Sequence, residues 1–257
     1  MVDDPANAQD DLGSGAAAPA CGLYIILPAT DDHNKQNFQL GQALHAANRF
    51  STYDINRHVV EYRPAVAAEK SPQIDHATIA ASYAETCRRN GFIFLIYDDV
   101  ELARACGADG VLCASLKNCS TARKLLPEQA IIGLRTASFE GAKSAISLEL
   151  DFITLHAGEG ISHLDPIIGA APSADQSGWG RSLLDHLIWW VTATEAAIAI
   201  EGDFTPENCQ YYAALGATFI DATHHIWTHP SGNFMQGVVN MLDAFEQAKL
   251  RQSAHSH

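Results

Sequence analysis

Three short apolar runs alternate with helix-like segments in residues 92–134, which read FIFLIYDDVELARACGADGVLCASLKNCSTARKLLPEQAIIGL. The runs Phe92–Tyr97, Gly110–Cys113 and Ala130–Leu134 are too short for helices and almost wholly apolar, as expected of strands that are covered on both faces. The second intervening segment carries serine and threonine caps and stops at Pro127, as a helix would. This order of strands and helices indicates a parallel sheet built from βαβ units.

The same alternation continues along the chain in both directions. Further strands are predicted at Leu23–Leu27, His58–Tyr62, Phe152–Leu155, Ala196–Ile200 and Thr218–Ile220. Helices are predicted at Ile74–Asn90, Ser120–Leu126, Arg181–Val191 and Asn233–Gln247, with a further helix start at Thr205-Pro206-Glu207. Eight strands that are each followed by a helix predict a single (β/α)8 TIM barrel over residues 21–250. An open doubly wound sheet is the competing architecture, but no G-x-G-x-x-G turn follows the first strand.

Composition narrows the classes of partner. The chain has 257 residues and a formal net charge of −14, which argues against nucleic acid or an anionic membrane surface as the main partner. Residues 1–20 are acidic and lack an apolar run, so they are predicted to form a disordered tail rather than a secretion signal. No stretch is long enough to span a membrane, which favours a cytoplasmic location. The six cysteines form no C-x-x-C pair and are predicted to be buried thiols.

Functional side chains of such a barrel gather where each strand ends and the chain turns into the following helix. Arg63, Lys117 and Arg135 come at three of these ends and could hold a phosphate or carboxylate, or pair with neighbouring acids. Carboxylates and histidines at other ends could instead form a metal site. The adjacent His224 and His225 are expected to point to opposite faces of a strand.

Several stretches of the chain resemble the thiamine-phosphate synthase family. The third-to-fourth strand region carries Ile96–Ala103 (IYDDVELA) and Gly107–Val111 (GADGV), and the helix and strand that follow carry Ala122–Leu126 (ARKLL) and Ile131–Gly133 (IIG). The last part of the resemblance is carried by Ala199–Gly202 (AIEG), Pro206–Asn208 (PEN) and Leu215–Ala217 (LGA). The resemblance spans roughly residues 23–248 and is most specific in the third-to-fourth strand region. The related thiazole tautomerases share this fold and use a histidine where this chain has Ala137.

The resemblance implies a reaction in which an aminopyrimidine methyl pyrophosphate is joined to a thiazole phosphate and pyrophosphate leaves. Mg²⁺ and basic side chains would neutralise the leaving pyrophosphate. The family's Gln-x-Arg-x-Lys stands here as Glu61, Arg63 and Ala65, and its Asn-Asp pair as Tyr97-Asp98. Only the arginine and the metal-binding aspartate are kept.

Other family positions are changed as well. The fourth-strand motif His-x-Gly-Gln-x-Asp stands here as Leu112, Ala114, Ser115 and Lys117, so the second metal ligand has become a lysine. The fifth-strand serine is Arg135. The paired glycines that cradle the thiazole phosphate are Glu201-Gly202, where a glutamate would repel phosphate.

These matches assign provisional roles to nine residues. Arg63, Lys117 and Arg135 are predicted to be catalytic, and Asp98 to bind Mg²⁺. Substrate binding is predicted for Glu61, Tyr97, Ser115, Thr136 and Gly202. The expected ligands are small phosphorylated thiamine precursors, and a homodimer is compatible with this assignment.

Three functional hypotheses follow. The first is a divergent synthase, which predicts that Arg63, Asp98, Lys117 and Arg135 converge on one pocket. The second is a catalytically degenerate homologue that binds a thiamine precursor or a protein partner without turnover. The third is different, metal-assisted chemistry built on His156, Glu201, Asp221 and His224. The segment 156–179 is predicted to be either a mobile lid or a surface insertion.

Overall fold

The structure is a computed structural model that describes residues 21–50, 58–64, 75–156 and 183–255. The predicted tail at 1–20, Ala65 and most of the predicted lid, 157–179, lie outside the described residues. The statements that follow concern the described ranges.

Eight parallel strands close into a barrel in the order of the sequence. They are β1 (Gly22–Pro28), β2 (Val59–Arg63), β3 (Ile93–Tyr97), β4 (Gly110–Cys113), β5 (Ile131–Thr136), β6 (Phe152–His156), β7 (Ala197–Glu201) and β8 (Phe219–Asp221). Pairing of β8 with β1 closes the ring, with Gly22 beside Phe219 and Tyr24 beside Asp221. The predicted TIM barrel is therefore confirmed, and the open doubly wound sheet is excluded.

Helices surround this barrel. They are α1 (His33–Phe50), α2 (His76–Asn90), α3 (Val100–Cys106), α4 (Leu116–Leu125), α5 (Phe139–Ser147), α6 (Leu183–Ala193), α7 (Pro206–Ala214), α8 (Thr223–Trp227) and α9 (Phe234–His255). The predicted start of α7 is confirmed: Pro206 is its first residue, and the Asn208 side chain accepts a hydrogen bond from the Thr205 N–H at 2.8 Å.

Two helix predictions and one strand prediction need correction. The helix α4 begins at Leu116 rather than Ser120, because Ser115 caps it and Ser120 lies inside, where its hydroxyl donates to the Leu116 carbonyl. The helix α9 continues to His255 instead of ending at Gln247, since no Gly or Pro stops it. His224 and His225 belong to the short helix α8 and not to a strand, so the expectation of opposite strand faces was wrong.

Alternate strand residues fill the barrel interior. An inner cluster comprises Tyr24, Ile26, Val59, Leu95, Leu112, Phe152, Ala199 and Phe219. Gly133 makes room for one of them, because a Cβ at this position would lie 2.2 Å from the Phe152 ring. The strand residues in between face the helices and form a separate, larger core.

All six cysteines are buried free thiols, which confirms the prediction. Within the described ranges, every helix is too short or too polar to cross a bilayer.

His58 makes the stability of the barrel sensitive to acid. The ring is 2% exposed, and its Nδ1 accepts a hydrogen bond from the Leu23 N–H at 3.1 Å, so the proton of the neutral ring is on Nε2. Burial lowers the pKa of His58 from 6.5 to about 4. Between these two pH values the unfolded chain binds the proton and the folded chain does not, so the stability contributed by His58 is lost as the pH falls.

We expect a His58→Asn variant to show a smaller loss of stability in acid. Its side-chain oxygen can accept the same hydrogen bond but cannot be protonated in this range. The wild type should lose roughly 3 kcal/mol more than the variant between pH 6.5 and pH 4, at about 1.4 kcal/mol per pKa unit. Urea denaturation of both proteins across this range measures the difference, and parallel pH profiles would contradict the assignment.

Candidate functional site at the barrel mouth

The inward-facing positions become charged where the strands reach the carboxyl end of the barrel. Residues two apart on a strand face the same side. Arg135 therefore follows the inward Gly133, Glu201 follows Ala199, and Asp221 follows Phe219. Arg63 stands in the same way above Glu61 on β2. We refer to the open end that these residues line as the barrel mouth.

The Glu201 carboxylate holds both arginines of the mouth. Arg63 donates from its two terminal nitrogens to Oε1 and Oε2 at 2.9 and 3.0 Å. Arg135 donates from Nε and Nη2 to the same two oxygens at 2.7 and 2.9 Å. The Glu201 side chain is 13% exposed, that of Arg63 24% and that of Arg135 25%. The cluster therefore lies at the wall of the mouth and not on its rim. One carboxylate thus occupies both guanidinium forks, the positions in which two arginines would otherwise hold a phosphate.

A second carboxylate lies beneath this cluster. Glu61 is fully buried and accepts hydrogen bonds from Arg63 Nε and from the Tyr24 hydroxyl. The Arg63 guanidinium also lies over the ring of Tyr97, 5.0 Å from its centroid. Two guanidinium charges are thereby matched by two carboxylates, and the cluster is neutral as a whole.

Burial and pairing act in opposite directions on the two glutamates. Burial raises the pKa of Glu201, but the hydrogen bonds from Arg135 and Arg63 outweigh it and lower the value to about 2. The pKa of Glu61 is raised by burial, an effect that Arg63 opposes. Glu201 is therefore a permanent anion at physiological pH, and it keeps the two arginines paired.

Asp221 is a third carboxyl of the mouth and has a different environment. It is 6% exposed, and Thr223 is the described residue that hydrogen-bonds it, donating from its backbone N–H to Oδ1 at 2.9 Å. No described arginine, lysine or histidine forms an ion pair with it. Burial raises the pKa of Asp221 to about 7, against the effect of Thr223. The group changes protonation near neutral pH.

Asp98 connects two loops instead of facing the arginines. Its backbone is left-handed, with φ of 52°, a conformation that aspartate tolerates better than most residues. Its Oδ1 accepts hydrogen bonds from the Ala114 N–H at 2.8 Å and the Asn118 side-chain amide at 2.7 Å. The carboxylate thus joins the end of β3 to the start of α4.

The side chains present do not fit the two-carboxylate Mg²⁺ site that the family resemblance implies. One oxygen of Asp98 accepts hydrogen bonds within the loops. The position of the second metal ligand of the family is occupied by Lys117, which cannot bind Mg²⁺. Among the residues that the structure describes, no group of three or more His, Cys, Asp or Glu side chains could hold a metal ion. His224 is exposed, and its Nδ1 lies 3.9 Å from the exposed Asp203, whereas Glu201 is paired with Arg63 and Arg135.

The remaining predicted site residues lie around the mouth with local structural contacts. Ser115 caps α4 by accepting the Asn118 N–H at 3.3 Å. Lys117 is exposed and lines a surface groove between α4 and α5. Thr136 is buried and accepts the Ser138 N–H at 2.9 Å, and the Gly202 carbonyl accepts the Phe204 N–H at 3.0 Å. Arg63 and Arg135 are the two members of the predicted four-residue pocket that the structure brings together.

Sequence reasoning missed one residue that shapes the mouth, Tyr24, whose hydroxyl donates a hydrogen bond to Glu61. Thr223, which follows the eighth strand, joins α8 to β1 by accepting the Ile26 N–H at 2.8 Å. A signal existed for Tyr24, because a tyrosine inside an apolar strand needs a buried partner for its hydroxyl.

Comparisons with known proteins agree with this architecture. A family model described as thiamine monophosphate synthase matches residues 23–159. The thiamine-phosphate synthase of Methylococcus capsulatus is 28% identical over 211 residues, covering 81% of this chain and 83% of that protein. That of Methanoregula boonei is 37% identical over 135 residues, or 52% of this chain and 57% of that protein.

Solved structures show the same fold at low sequence identity. The thiamine phosphate pyrophosphorylase of Pyrococcus furiosus superposes with a TM-score of 0.61 at 15% identity, covering 88% of this chain and 96% of that one. The 3-hexulose-6-phosphate synthase of Salmonella typhimurium gives 0.57 at 14% identity, with coverages of 91% and 99%.

Proposed function

Because the chain belongs to the thiamine monophosphate synthase family, we propose that it serves thiamine metabolism as a non-coupling member, which binds a thiamine precursor at the barrel mouth without joining two precursors. The observation that carries this proposal is the Glu201 carboxylate, which occupies both guanidinium forks of the mouth. The proposal corresponds to the degenerate homologue among the three hypotheses.

Coupling requires charge that this mouth does not offer. A departing pyrophosphate develops negative charge, and cationic side chains or metal ions must be ready to receive it. Arg63 and Arg135 could do so only by giving up Glu201, which would leave a largely buried carboxyl group without its partners beside the new anion. Lys117, the third predicted cation, lies in the groove between α4 and α5.

Neutral precursors are accommodated more readily than phosphorylated ones. The arginine–glutamate cluster has no net charge, and Asp221 adds an acid that loses its proton near neutral pH. An uncharged aminopyrimidine alcohol presents amino and ring-nitrogen groups that such carboxyls can hydrogen-bond. A pyrophosphorylated precursor would bring further negative charge to the same place.

The divergent synthase remains the second candidate, and one observation favours it. That hypothesis predicts that four residues converge on one pocket, and two of them, Arg63 and Arg135, do lie together at Glu201.

We expect the purified protein to form no thiamine phosphate when it is supplied with both family substrates, whether Mg²⁺ or EDTA is present. A relative of established activity, assayed in parallel, shows that the substrates and detection are sound. Binding of the aminopyrimidine alcohol and of its pyrophosphate should be measured by calorimetry in the same preparation, with the alcohol binding more tightly. Turnover would overturn the proposal: product in both conditions would mean that side chains have replaced the metal, and product with Mg²⁺ alone would mean that the metal site is intact.

A further inference from the structure

Two of the buried thiols lie next to each other between β4 and α4. Cys113 is the last residue of β4, and Cys119 lies in the first turn of α4. Leu112 belongs to the barrel interior, so its neighbour Cys113 points outward to the helices. The Cys119 sulfur lies 3.7 Å from the carbonyl oxygen of Gly133, the residue of β5 that pairs with Leu112. The two sulfurs therefore occupy the same layer between strand and helix.

The two thiols interact directly. A hydrogen bond from Cys113 stabilises the thiolate of Cys119 and lowers its pKa, although burial opposes this shift. The same interaction raises the pKa of Cys113, and burial adds to it. Burial is the largest cause of a raised pKa at each of the four other cysteines. Cys119 is therefore the thiol that ionises first, with the protonated thiol of Cys113 beside it.

The helix that carries Cys119 is attached to the barrel by few buried side chains. Cys119 and Ala122 are the buried residues of α4, whereas α2 buries larger side chains such as Ile79 and Tyr83. A helix that buries so little apolar surface opens locally at low cost. Such opening gives a small oxidant access to Cys119, which is 1% exposed when the helix is in place.

We propose that Cys113 and Cys119 form a redox-active thiol pair, which hydrogen peroxide oxidises to a disulfide that ties α4 to β4. The Cys119 thiolate attacks one peroxide oxygen and the O–O bond breaks. The second oxygen takes up the proton that Cys119 released and leaves as water, so that Cys119 becomes a sulfenic acid. The Cys113 sulfur then attacks the Cys119 sulfur, the S–O bond breaks, and the oxygen leaves as water with the Cys113 proton. Both sulfurs are oxidised, and the peroxide is reduced to two water molecules.

The disulfide would act on the barrel mouth through the start of α4. Ser115 caps this helix, and Asn118, next to Cys119, donates from its side-chain amide to Asp98. A covalent bond from Cys119 to β4 prevents the local opening of α4, so these contacts become fixed. Oxidation should therefore slow amide hydrogen exchange in α4.

Peptide mapping of the native protein tests the pair directly. Trypsin cleaves after Lys117, between the two cysteines, so their disulfide joins the peptides Ala105–Lys117 and Asn118–Arg123. The protein is treated with hydrogen peroxide, its remaining thiols are alkylated, and it is digested without reductant. We expect this linked pair to exceed any other disulfide at least about tenfold, and dithiothreitol should separate it. Absence of the linked pair, or equal oxidation of all six thiols, would overturn the inference.

Variants assign the roles of the two thiols. Cys113→Ala should stop at the sulfenic acid of Cys119, which dimedone traps, and Cys119→Ala should give neither the trapped nor the linked product. Cys106→Ala is the matched control, because Cys106 is a buried thiol in the same tryptic peptide as Cys113, and it should keep the linked pair. Loss of the linked pair in Cys106→Ala would assign the disulfide to Cys106 and overturn the inference.

Hydrogen exchange of the reduced and oxidised wild type tests the effect on the helix. Exchange of the α4 amides should be roughly tenfold slower in the oxidised protein, exchange of the α2 amides should be unchanged, and dithiothreitol should restore the faster rate. Unchanged exchange in α4 after the disulfide has formed would overturn its role in fixing this helix.

Discussion

A Glu201→Ala variant should bind inorganic pyrophosphate at least about tenfold more tightly than the wild-type protein. In the wild type the Glu201 carboxylate fills both guanidinium forks, with four hydrogen bonds of 2.7–3.0 Å. Removing it leaves Arg63 and Arg135 facing the same space with two free forks. Pyrophosphate can then bridge the two guanidinium groups, because the Glu201 carboxylate no longer competes for them or repels the anion.

The same variant should be less stable, and pyrophosphate should restore part of the loss. Breaking a largely buried ion-pair cluster by removing one partner costs about 3–5 kcal/mol, because unpaired charge remains behind. A ligand that binds the folded state alone raises the melting temperature with its concentration. Thermal melts of wild type and variant with increasing pyrophosphate measure both effects, and calorimetry gives the affinities.

Two controls separate the local effect from the change in net charge. Glu207→Ala removes an acid near the start of α7 that takes no part in the arginine cluster, and it should leave pyrophosphate affinity unchanged. Glu201→Gln removes the charge but keeps the side chain in place, so its gain should be smaller than that of alanine. An equal gain in Glu207→Ala would mean that overall charge is responsible, and no gain in Glu201→Ala would show that Glu201 does not block the arginines.

Replacement of Arg63 by methionine should destabilise the protein by about 3–5 kcal/mol, because it leaves a buried charge without its partner. Glu61 is fully buried, and among the described residues the Tyr24 hydroxyl would be its one remaining hydrogen-bond donor. Methionine has similar length and fills much of the same volume, so the loss reports on charge more than on packing.

The loss of stability in Arg63→Met should depend on pH, because it arises from the charge of Glu61. Without Arg63, burial raises the pKa of Glu61 further above its unfolded value, so the folded state takes up a proton that the unfolded state releases. The stability of the variant relative to wild type should therefore increase as the pH falls from 8 to 5. The double variant Glu61→Gln with Arg63→Met should recover most of the loss at pH 8. Chemical denaturation at several pH values checks both statements, and a deficit that neither acid nor the second substitution reduces would contradict the role of Glu61.

The strand pattern could be predicted because it depends on local composition. Runs such as Phe92–Tyr97 are apolar throughout, since a strand of a closed barrel is covered on both faces. Helix boundaries were less predictable: Ser120 has the chemistry of a cap, and only the structure shows that Ser115 takes this role and that Ser120 bonds back to the preceding turn.

The residues that line the site could be predicted from the sequence, but the ion pairs between them could not. Counting strand ends identified Arg63, Arg135, Glu201 and Asp221 as residues of the mouth, because the carboxyl ends of parallel strands meet at one end of a barrel. Which of them pair was not predictable from spacing. Arg63 and Glu201 are 138 positions apart in the chain, and adjacency in sequence would have favoured other partners.

By itself, the sequence determined the barrel, its strand order and the chemical types gathered at its mouth, since short apolar runs and their turns specify local structure. Tertiary structure alone decided that Glu201 binds both arginines, that Asp98 joins two loops, and that Asp221 forms no ion pair with a basic side chain in the part of the chain that the structure describes. These outcomes depend on distances across the closed barrel and on burial, because the free energy of a charge is set by what surrounds it in space.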